Sequence, residues 1–178
     1  AKVTLDTGGN MSMVYGIPDS LQEDPDCMIL AHGAGGPMYS PFLTYFHTEL
    51  TKYGFLTVKF NFPYMEARKK TPDKKDVLEA SYRKIVEEVR SSQYKPDRMF
   101  IGGKSMGGRI ASQVVAGGVD VNGLFFLGYP LHPPGRPDRL RDEHLYKITQ
   151  PMLFVSGTRD SFGTRGLLEK VLSRLGSK

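Results

Sequence analysis

Residues 101–108 read IGGKSMGG, and this stretch fits the signatures of two different chemistries. Its Gly-Lys-Ser is the end of a phosphate-binding loop, whereas its Gly-x-Ser-x-Gly is the strand-to-helix turn that presents a reactive serine. In a phosphate-binding loop, Gly-x-x-x-x-Gly-Lys-Ser, the first glycine would fall at Arg98. Met99 and Phe100 belong to an apolar strand pattern, so the turn is too short to surround a phosphate chain. We therefore predict a serine turn and no nucleotide site.

The serine turn agrees with its local context at each position. An apolar strand precedes Gly103 and Ser105, and a helical pattern follows Met106 and Gly107. The two flanking glycines permit a sharp turn without side-chain collisions, so Ser105 is predicted to have a positive φ. The start of the helix directs its positive end toward an oxyanion formed at Ser105. Ser105 is accordingly the predicted nucleophile.

Apolar runs alternate with helical patterns on both sides of this turn. Runs typical of strands occupy residues 3–5, 12–17, 27–31, 55–62, 99–102, 123–129 and 152–156. Helical spacing of apolar residues occurs at 42–53, 77–89, 110–115 and 167–175. Continuous apolar strands that alternate with helices indicate a parallel sheet covered on both faces. We predict an α/β three-layer sandwich, a single domain over residues 1–178, with an antiparallel hairpin at its N-terminal edge.

The loop HGAGG, residues 32–36, follows a predicted strand. In sheets of this kind, sites form in the loops beyond the carboxyl ends of the strands. The backbone N–H of Gly33 or Ala34 is predicted to join the N–H of Met106 in holding the negative oxygen of a reaction intermediate. The alternative for HGAGG is a plain turn without a catalytic role.

Asp160 lies just beyond another predicted strand, in the segment FVSGTRDSFG. It comes after Ser105 in the chain, which is the order that enzymes with this turn use, so we predict that it is the acid of a catalytic triad. Its carboxylate is expected about 6–8 Å from the serine, because one imidazole ring must bond to both groups. The alternative is a surface aspartate in a salt bridge.

All four histidines precede Asp160 in the chain. His32 belongs to the HGAGG loop and His132 follows a predicted strand end, so both are expected to line the site. His132 is also the one candidate for a substitute catalytic base. His47 is predicted at the surface edge of a helix, and His144 lies in a charged run.

Charge and cysteine content argue against several classes of function. The net charge is +5, and basic residues gather in ARKKTPDKK at 67–75, where no aromatic residue is present to stack on bases. We expect a solvated loop there and no nucleic-acid partner.

Cys27 is the only cysteine, so an intrachain disulfide is impossible, and neither a metal nor a cofactor is expected. No apolar run approaches the roughly 20 residues of a membrane span, and no signal-peptide pattern is visible, so a cytoplasmic location is expected, with a nuclear one as the alternative.

Four stretches carry a resemblance to a known family: AHGAGG, IGGKSMGGRIA, GYPLHPPGRPDRLRDEHLYKI and PMLFVSGTRD. With them the sequence resembles the α/β-hydrolase superfamily, and more closely its dienelactone-hydrolase-like branch, which contains the testis-expressed and NSL-complex hydrolase-like proteins. The resemblance extends from residue 28 to the end of the chain. It implies Ser105 as nucleophile, Asp160 as triad acid, and the HGAGG and Met106 amides as oxyanion hole. We therefore expect a serine hydrolase that cleaves an ester, thioester or related acyl bond of a small-molecule substrate, and the resemblance does not identify that substrate.

The sequence departs from this family in one respect. The family places its catalytic histidine after one more strand, beyond the helix that follows the acid, and no histidine follows Asp160 here. We expect the 178 residues to be C-terminally incomplete, to lack the last strand, and to be impaired in catalysis. The alternative is a non-catalytic interaction or scaffold protein that uses the basic loop 68–75 and the excursion 131–144 as contact surfaces.

Overall fold

The computed structural model describes residues 1–6 and 8–175 and contains one sheet with helices packed on it. In chain order the elements are β1 (Lys2–Thr4), β2 (Asn10–Gly16), β3 (Cys27–Ala31), α1 (Pro41–Lys52), β4 (Leu56–Phe60), α2 (Pro63–Glu66), α3 (Lys75–Arg90), β5 (Met99–Lys104), α4 (Met106–Ala116), β6 (Gly123–Leu127), a 3₁₀ helix (Glu143–Lys147), β7 (Met152–Val155) and α5 (Arg165–Leu172). The predicted strands and helices are all present, with ends that shift by a few residues.

The seven strands of the described residues lie in the order β1-β2-β4-β3-β5-β6-β7. β1 and β2 are antiparallel to each other, β2 is antiparallel to β4, and the remaining pairs are parallel. β4 and β6 are buried at every position, as expected for parallel strands covered on both faces. The predicted α/β architecture with an antiparallel N-terminal edge is thereby confirmed.

The strand register brings the predicted site loops to one edge of the sheet. At the end of β3, Ala31 pairs with Gly103 of β5 and with Phe60 of β4. At the other side of β5, Lys104 pairs with Leu127, the last residue of β6, which in turn pairs with Val155 of β7. The loops after β3, β5, β6 and β7 therefore leave the sheet side by side.

Two apolar clusters occupy opposite faces of the sheet. The larger one packs α3, α4 and α5 against the sheet, and the spacing-derived face of α3 is buried as predicted, at Leu78, Tyr82, Ile85, Val86 and Val89. Full burial of an aliphatic or aromatic side chain of this size stabilises the fold by about 1.5–3 kcal/mol. The smaller cluster lies under α1 and contains Leu30, Met38, Leu43, Phe125 and Leu127.

The face that α1 buries differs from the face that its aromatic spacing indicates. Phe42, Phe46, Leu50 and Tyr53 recur at helical spacing, yet Tyr53 is 79% exposed, and the fully buried positions of α1 are Leu43 and His47. The surface position predicted for His47 is therefore wrong. Its Nδ1 lies 2.9 Å from Thr57 Oγ1 of β4, and this polar partner allows the ring to be buried. Burial and the nearby Lys59 charge lower the pKa of His47 to about 4.

None of the helices within the described residues is both long enough and apolar enough to cross a membrane.

Candidate active site

Ser105 occupies a strained turn between β5 and α4. Its φ and ψ are 50° and −113°, values that a residue with a side chain rarely adopts and that agree with the positive φ predicted from the sequence. Two hydrogen bonds hold this turn against the sheet. The Ser105 N–H donates to Leu127 O at 3.1 Å, and the buried Tyr82 hydroxyl donates to Gly102 O at 2.6 Å just before the turn.

The two glycines beside Ser105 are required because the backbone of β3 lies against them. A Cβ at Gly103 would stand 2.1 Å from Ala31 O, and Gly103 also has a φ of 145°. A Cβ at Gly107 would stand 2.4 Å from the same oxygen. Atoms cannot approach so closely, so any larger residue would push β3, β5 and α4 apart and change the direction of the Ser105 side chain.

The backbone N–H groups predicted to hold an oxyanion lie on two sides of Ser105. Met106 is the first residue of α4, where a helix leaves its N–H groups without intrahelical acceptors. Gly33 packs against the serine: a Cβ at Gly33 would lie 3.7 Å from the Ser105 Cβ. Among the described residues, no hydrogen-bond acceptor pairs with the N–H of Gly33 or Ala34. The HGAGG loop therefore brings unpaired donors next to the serine.

His32 holds the HGAGG loop in place through hydrogen bonds of both its ring nitrogens. Its Nε2 accepts the N–H of Phe62 at 3.1 Å, so its proton resides on Nδ1, which donates to Gly33 O at 2.7 Å. The ring is 1% exposed, and burial lowers its pKa. A neutral imidazole with both nitrogens engaged cannot take the serine proton. His32 is not among the residues that line the cavity at Ser105, and its two hydrogen bonds join the HGAGG loop to Phe62.

Asp160 lies in the loop that follows β7, on the same sheet edge as Ser105. Its Oδ1 accepts the N–H of Phe162 at 2.9 Å, and its Oδ2 lies near Gly128, directly after the β6 residue that bonds to Ser105. None of the salt bridges found within the described residues involves Asp160, so the surface ion-pair alternative receives no support. Its predicted separation from the serine stays a prediction.

A cavity of about 350 Å³ opens directly at Ser105. Met106, Ala34 and His132 contribute to its wall together with the serine. Two arginines, Arg109 and Arg141, also line it, and neither was singled out from the sequence. The sequence motif could have predicted Arg109 near the serine, because it lies one helical turn after Ser105. The position of Arg141 depends on the path of a distant loop.

His132 belongs to the wall of this cavity, and both of its ring nitrogens are directed at backbone carbonyl oxygens. Nδ1 lies 2.9 Å from Pro133 O and Nε2 lies 3.1 Å from Ser161 O. Carbonyl oxygens only accept hydrogen bonds, so neither ring nitrogen presents a lone pair to the serine. The geometry argues against His132 as a substitute base.

His144 forms a polar cluster that sequence reasoning missed. Its Nε2 lies 2.8 Å from Ser112 Oγ and 3.0 Å from the Tyr129 hydroxyl, between α4 and the 3₁₀ helix. Burial, followed by the charge of Arg109, lowers the pKa of His144 to about 4. The charged sequence around His144 does not predict that its ring is buried, because its partners Ser112 and Tyr129 lie in two distant segments of the chain.

A second cavity of about 370 Å³ lies at the opposite end of the sheet. The described residues around it are apolar or glycine, among them Met28, Phe100 and Leu153. It offers no side chain for acid, base or nucleophilic chemistry. Within the described residues, no group of three or more His, Cys, Asp or Glu side chains is arranged to hold a metal ion. Of these two cavities, the one at Ser105 has side chains that could carry out such chemistry.

Residues 24–176 match a family described as an alpha/beta hydrolase domain, a span that includes each candidate site residue.

Three solved structures share the fold at low sequence identity. A protein of unknown function from Agrobacterium tumefaciens, assigned as an alpha/beta hydrolase, has a TM-score of 0.80 and 17% identity, over 100% of this chain and 79% of its own. A serine hydrolase without lid from Xanthomonas campestris has a TM-score of 0.77 and 22% identity, over 99% and 79%. Est1E from Butyrivibrio proteoclasticus, with ferulic acid bound, has a TM-score of 0.80 and 16% identity, over 98% and 85%.

Proposed function

This chain belongs to the alpha/beta hydrolase domain family, and on that basis we propose that it is a serine hydrolase that cleaves an ester, thioester or related acyl bond through Ser105. One observation carries the proposal. Ser105 has a φ of 50° at a strand-to-helix turn, lines a cavity, and lies beside backbone N–H groups that have no acceptor among the described residues. Strain is retained at such a position where function requires it.

The reaction follows from this arrangement. The Ser105 oxygen attacks the acyl carbon, its proton passes to an imidazole, and the carbonyl oxygen becomes an oxyanion. The N–H of Met106 and that of Gly33 or Ala34 hold this oxyanion, and each such donor typically lowers the barrier by about 2.7–4 kcal/mol. The imidazole returns the proton to the leaving group, and water releases the acyl group by the reverse sequence. Asp160 orients the imidazole.

The four histidines of the chain do not supply that imidazole in the described structure. His32 and His132 have both ring nitrogens engaged, and His47 and His144 are bonded to Thr57 and Ser112. The mechanism therefore requires an imidazole other than these four side chains. Imidazole added to the solution can take that role, and this makes the proposal testable.

Within the family, we assign the chain to the dienelactone-hydrolase-like branch that includes the testis-expressed and NSL-complex hydrolase-like proteins. The support is the segment GYPLHPPGRPDRLRDEHLYKI at 128–148. This segment contributes His132 and Arg141 to the cavity and His144 to the cluster beside it. Small acyl compounds are the proposed substrates.

The test is covalent labelling with a fluorophosphonate probe, which needs the serine proton removed. The 178-residue chain should label slowly, and added imidazole should accelerate labelling by entering the cavity. Ser105→Ala should abolish both rates. If the folded chain stays unlabelled with imidazole present, or if Ser105→Ala still labels, Ser105 is not the nucleophile and the scaffold alternative stands.

A further inference from the structure

The proposed hydrolase reaction assigns no role to the basic loop, residues 68–75, whose only side-chain hydroxyl belongs to Thr71. We infer that Thr71 is a phosphorylation site for a proline-directed protein kinase. This inference goes beyond the proposed function and is independent of it, because it requires neither a nucleophile at Ser105 nor a catalytic imidazole.

The residues after Thr71 match those that such a kinase recognises. Pro72 follows directly, and Lys74 stands at the third position after the threonine. The proline has no N–H donor, and it holds the threonine before it in the extended backbone that a substrate segment adopts in a kinase cleft. The lysine supplies a positive charge for acidic groups of the cleft. The loop therefore carries both recognition signals of a proline-directed site.

The structure leaves Thr71 accessible. Residues 67–71 are all exposed and lie outside the helices and strands. Among the described residues, no hydrogen bond engages the Thr71 hydroxyl or its backbone N–H. The segment is attached to Tyr64 on either side of the threonine: the Lys69 N–H donates to Tyr64 O at 2.8 Å, and the Tyr64 N–H donates to Asp73 Oδ2 at 2.8 Å. Thr71 lies midway between these attachments and can enter a kinase cleft without unwinding a helix or strand.

Ser40 and Pro41 form the other serine- or threonine-proline pair of the sequence and provide an internal comparison. Ser40 is half-buried and directly precedes the first turn of α1. Its N–H donates to Pro37 O at 3.0 Å, and its carbonyl oxygen accepts the N–H of Thr44 at 2.9 Å. The third position after Ser40 is the buried Leu43. A kinase could extend this segment only by unwinding the start of α1, so we expect no phosphate on Ser40.

The charge around Thr71 suits a phosphate. The basic loop contains five lysine and arginine residues, and among the described residues only Lys75 of these forms a salt bridge, with Glu79 at 3.4 Å. A phosphate carries about −1.5 to −2 charges at pH 7 and pairs with such side chains. Pro72, the next residue, belongs to the wall of the Ser105 cavity, so the modification places this negative charge beside that wall.

The modification is a phosphoryl transfer from a nucleoside triphosphate that the kinase binds. The Thr71 Oγ1 forms a bond to the γ-phosphorus, and the bond from that phosphorus to the oxygen shared with the β-phosphate breaks. The nucleoside diphosphate leaves with that oxygen, and the hydroxyl proton passes to the catalytic aspartate of the kinase.

The test is phosphorylation of the folded 178-residue chain by a purified cyclin-dependent kinase with ATP and Mg²⁺, followed by phosphopeptide mapping with mass spectrometry. Phosphate is expected on Thr71, and Thr71→Ala should abolish its incorporation. Pro72→Ala should slow the reaction at least about tenfold, the cost of one N–H donor left without an acceptor in the cleft. Lys74→Gln should also slow it. Lys170→Gln, on α5, is the matched control for loss of one positive charge and should have no effect.

The outcomes separate this inference from the proposed function. The inference is wrong if the folded chain takes up no phosphate, if Ser40 takes it up in preference to Thr71, or if Pro72→Ala reacts at an unchanged rate. Ser105→Ala should accept phosphate as fast as the unaltered chain. Absence of fluorophosphonate labelling with intact phosphorylation would therefore reject the hydrolase and retain the phosphorylation site, and the reverse result would reject the site alone.

Discussion

Two serines at α4 differ in access to a cavity, in backbone strain and in contact with a histidine ring. A catalytic serine needs both the access and the histidine. Ser105 precedes the helix, lines the cavity and has a positive φ, yet no imidazole contacts it within the described residues. Ser112 lies inside the helix, is fully buried, and contacts the His144 ring at 2.8 Å. A Ser–His contact in a hydrolase fold is thus present at the serine that has no access to a substrate.

The difference shows why a histidine contact alone does not make a nucleophile. The Ser112 hydroxyl has one proton, and Arg109 O, which can only accept it, lies 2.7 Å away. The backbone therefore competes with the His144 ring for this proton. Ser105 instead lies at the cavity wall, in the strained turn and beside backbone N–H donors. The proposal that Ser105 is the nucleophile rests on its place at the cavity and beside these donors.

The largest contrast is expected in probe labelling. In the presence of imidazole, Ser105→Ala should reduce fluorophosphonate labelling by about 10⁴-fold or more, because the attacking oxygen is lost. Ser112→Ala should change the labelling rate by less than about threefold, because its oxygen reaches neither cavity nor oxyanion hole. Labelled peptides identified by mass spectrometry check both. A probe adduct on Ser112 would reverse the comparison.

A substitution at Gly103 should disrupt the turn that holds Ser105. Gly103→Ala is expected to lower the free energy of unfolding by about 2–6 kcal/mol, since the new Cβ meets Ala31 O and the φ of 145° is unfavourable for alanine. Urea unfolding followed by circular dichroism measures this change. Gly35→Ala is the control, because a Cβ there meets no atom within 4 Å and should leave stability nearly unaltered. Equal effects of the two substitutions would contradict the steric account.

The buried serine should matter for stability and not for chemistry. Ser112→Ala removes the hydroxyl that contacts His144 and Tyr129, and leaves those two groups to pair with each other at 3.0 Å. We expect a loss of about 1–2 kcal/mol in the free energy of unfolding, the usual cost of one buried hydrogen-bond partner. A double-mutant cycle with His144→Phe should show coupling. Strict additivity of the two substitutions would mean that the contact contributes nothing.

The smallest expected effect is the contribution of His144, whose ring lies beside Ser112, to the pH dependence of stability. The pKa of His144 is lowered from 6.5 to about 4 in the folded protein, so the unfolded chain binds a proton more readily between these values. Its contribution to stability is present above about pH 6.5 and is lost as the pH falls toward 4. Urea midpoints at pH 7.5 and 5 should differ less in His144→Gln than in the unaltered chain. His32 and His47 have pKa values lowered in the same direction, so part of the slope should remain.

The sequence by itself determined the elements and the turn at Ser105. Continuous apolar runs predict the strands, helical spacing predicts α3, and the glycines of IGGKSMGG predict a positive φ at the serine. These features follow from residues close together in the chain, whose backbone conformation depends on local steric limits. The gathering of the HGAGG loop, Ser105 and Asp160 at one sheet edge also follows, because parallel strands place their carboxyl ends together.

Only the tertiary structure decided which side chains from distant segments meet. Three features join residues from separate elements: the contact of buried His47 with Thr57, the contact of His144 with Ser112, and the presence of Arg109 and Arg141 in one cavity wall. A helical period defines a stripe of residues but leaves its exact rotation over the sheet to packing, as the exposed Tyr53 and buried Leu43 of the α1 region show. Polar residues become buried where another segment supplies a hydrogen-bond partner, and no local pattern in the chain encodes that partner.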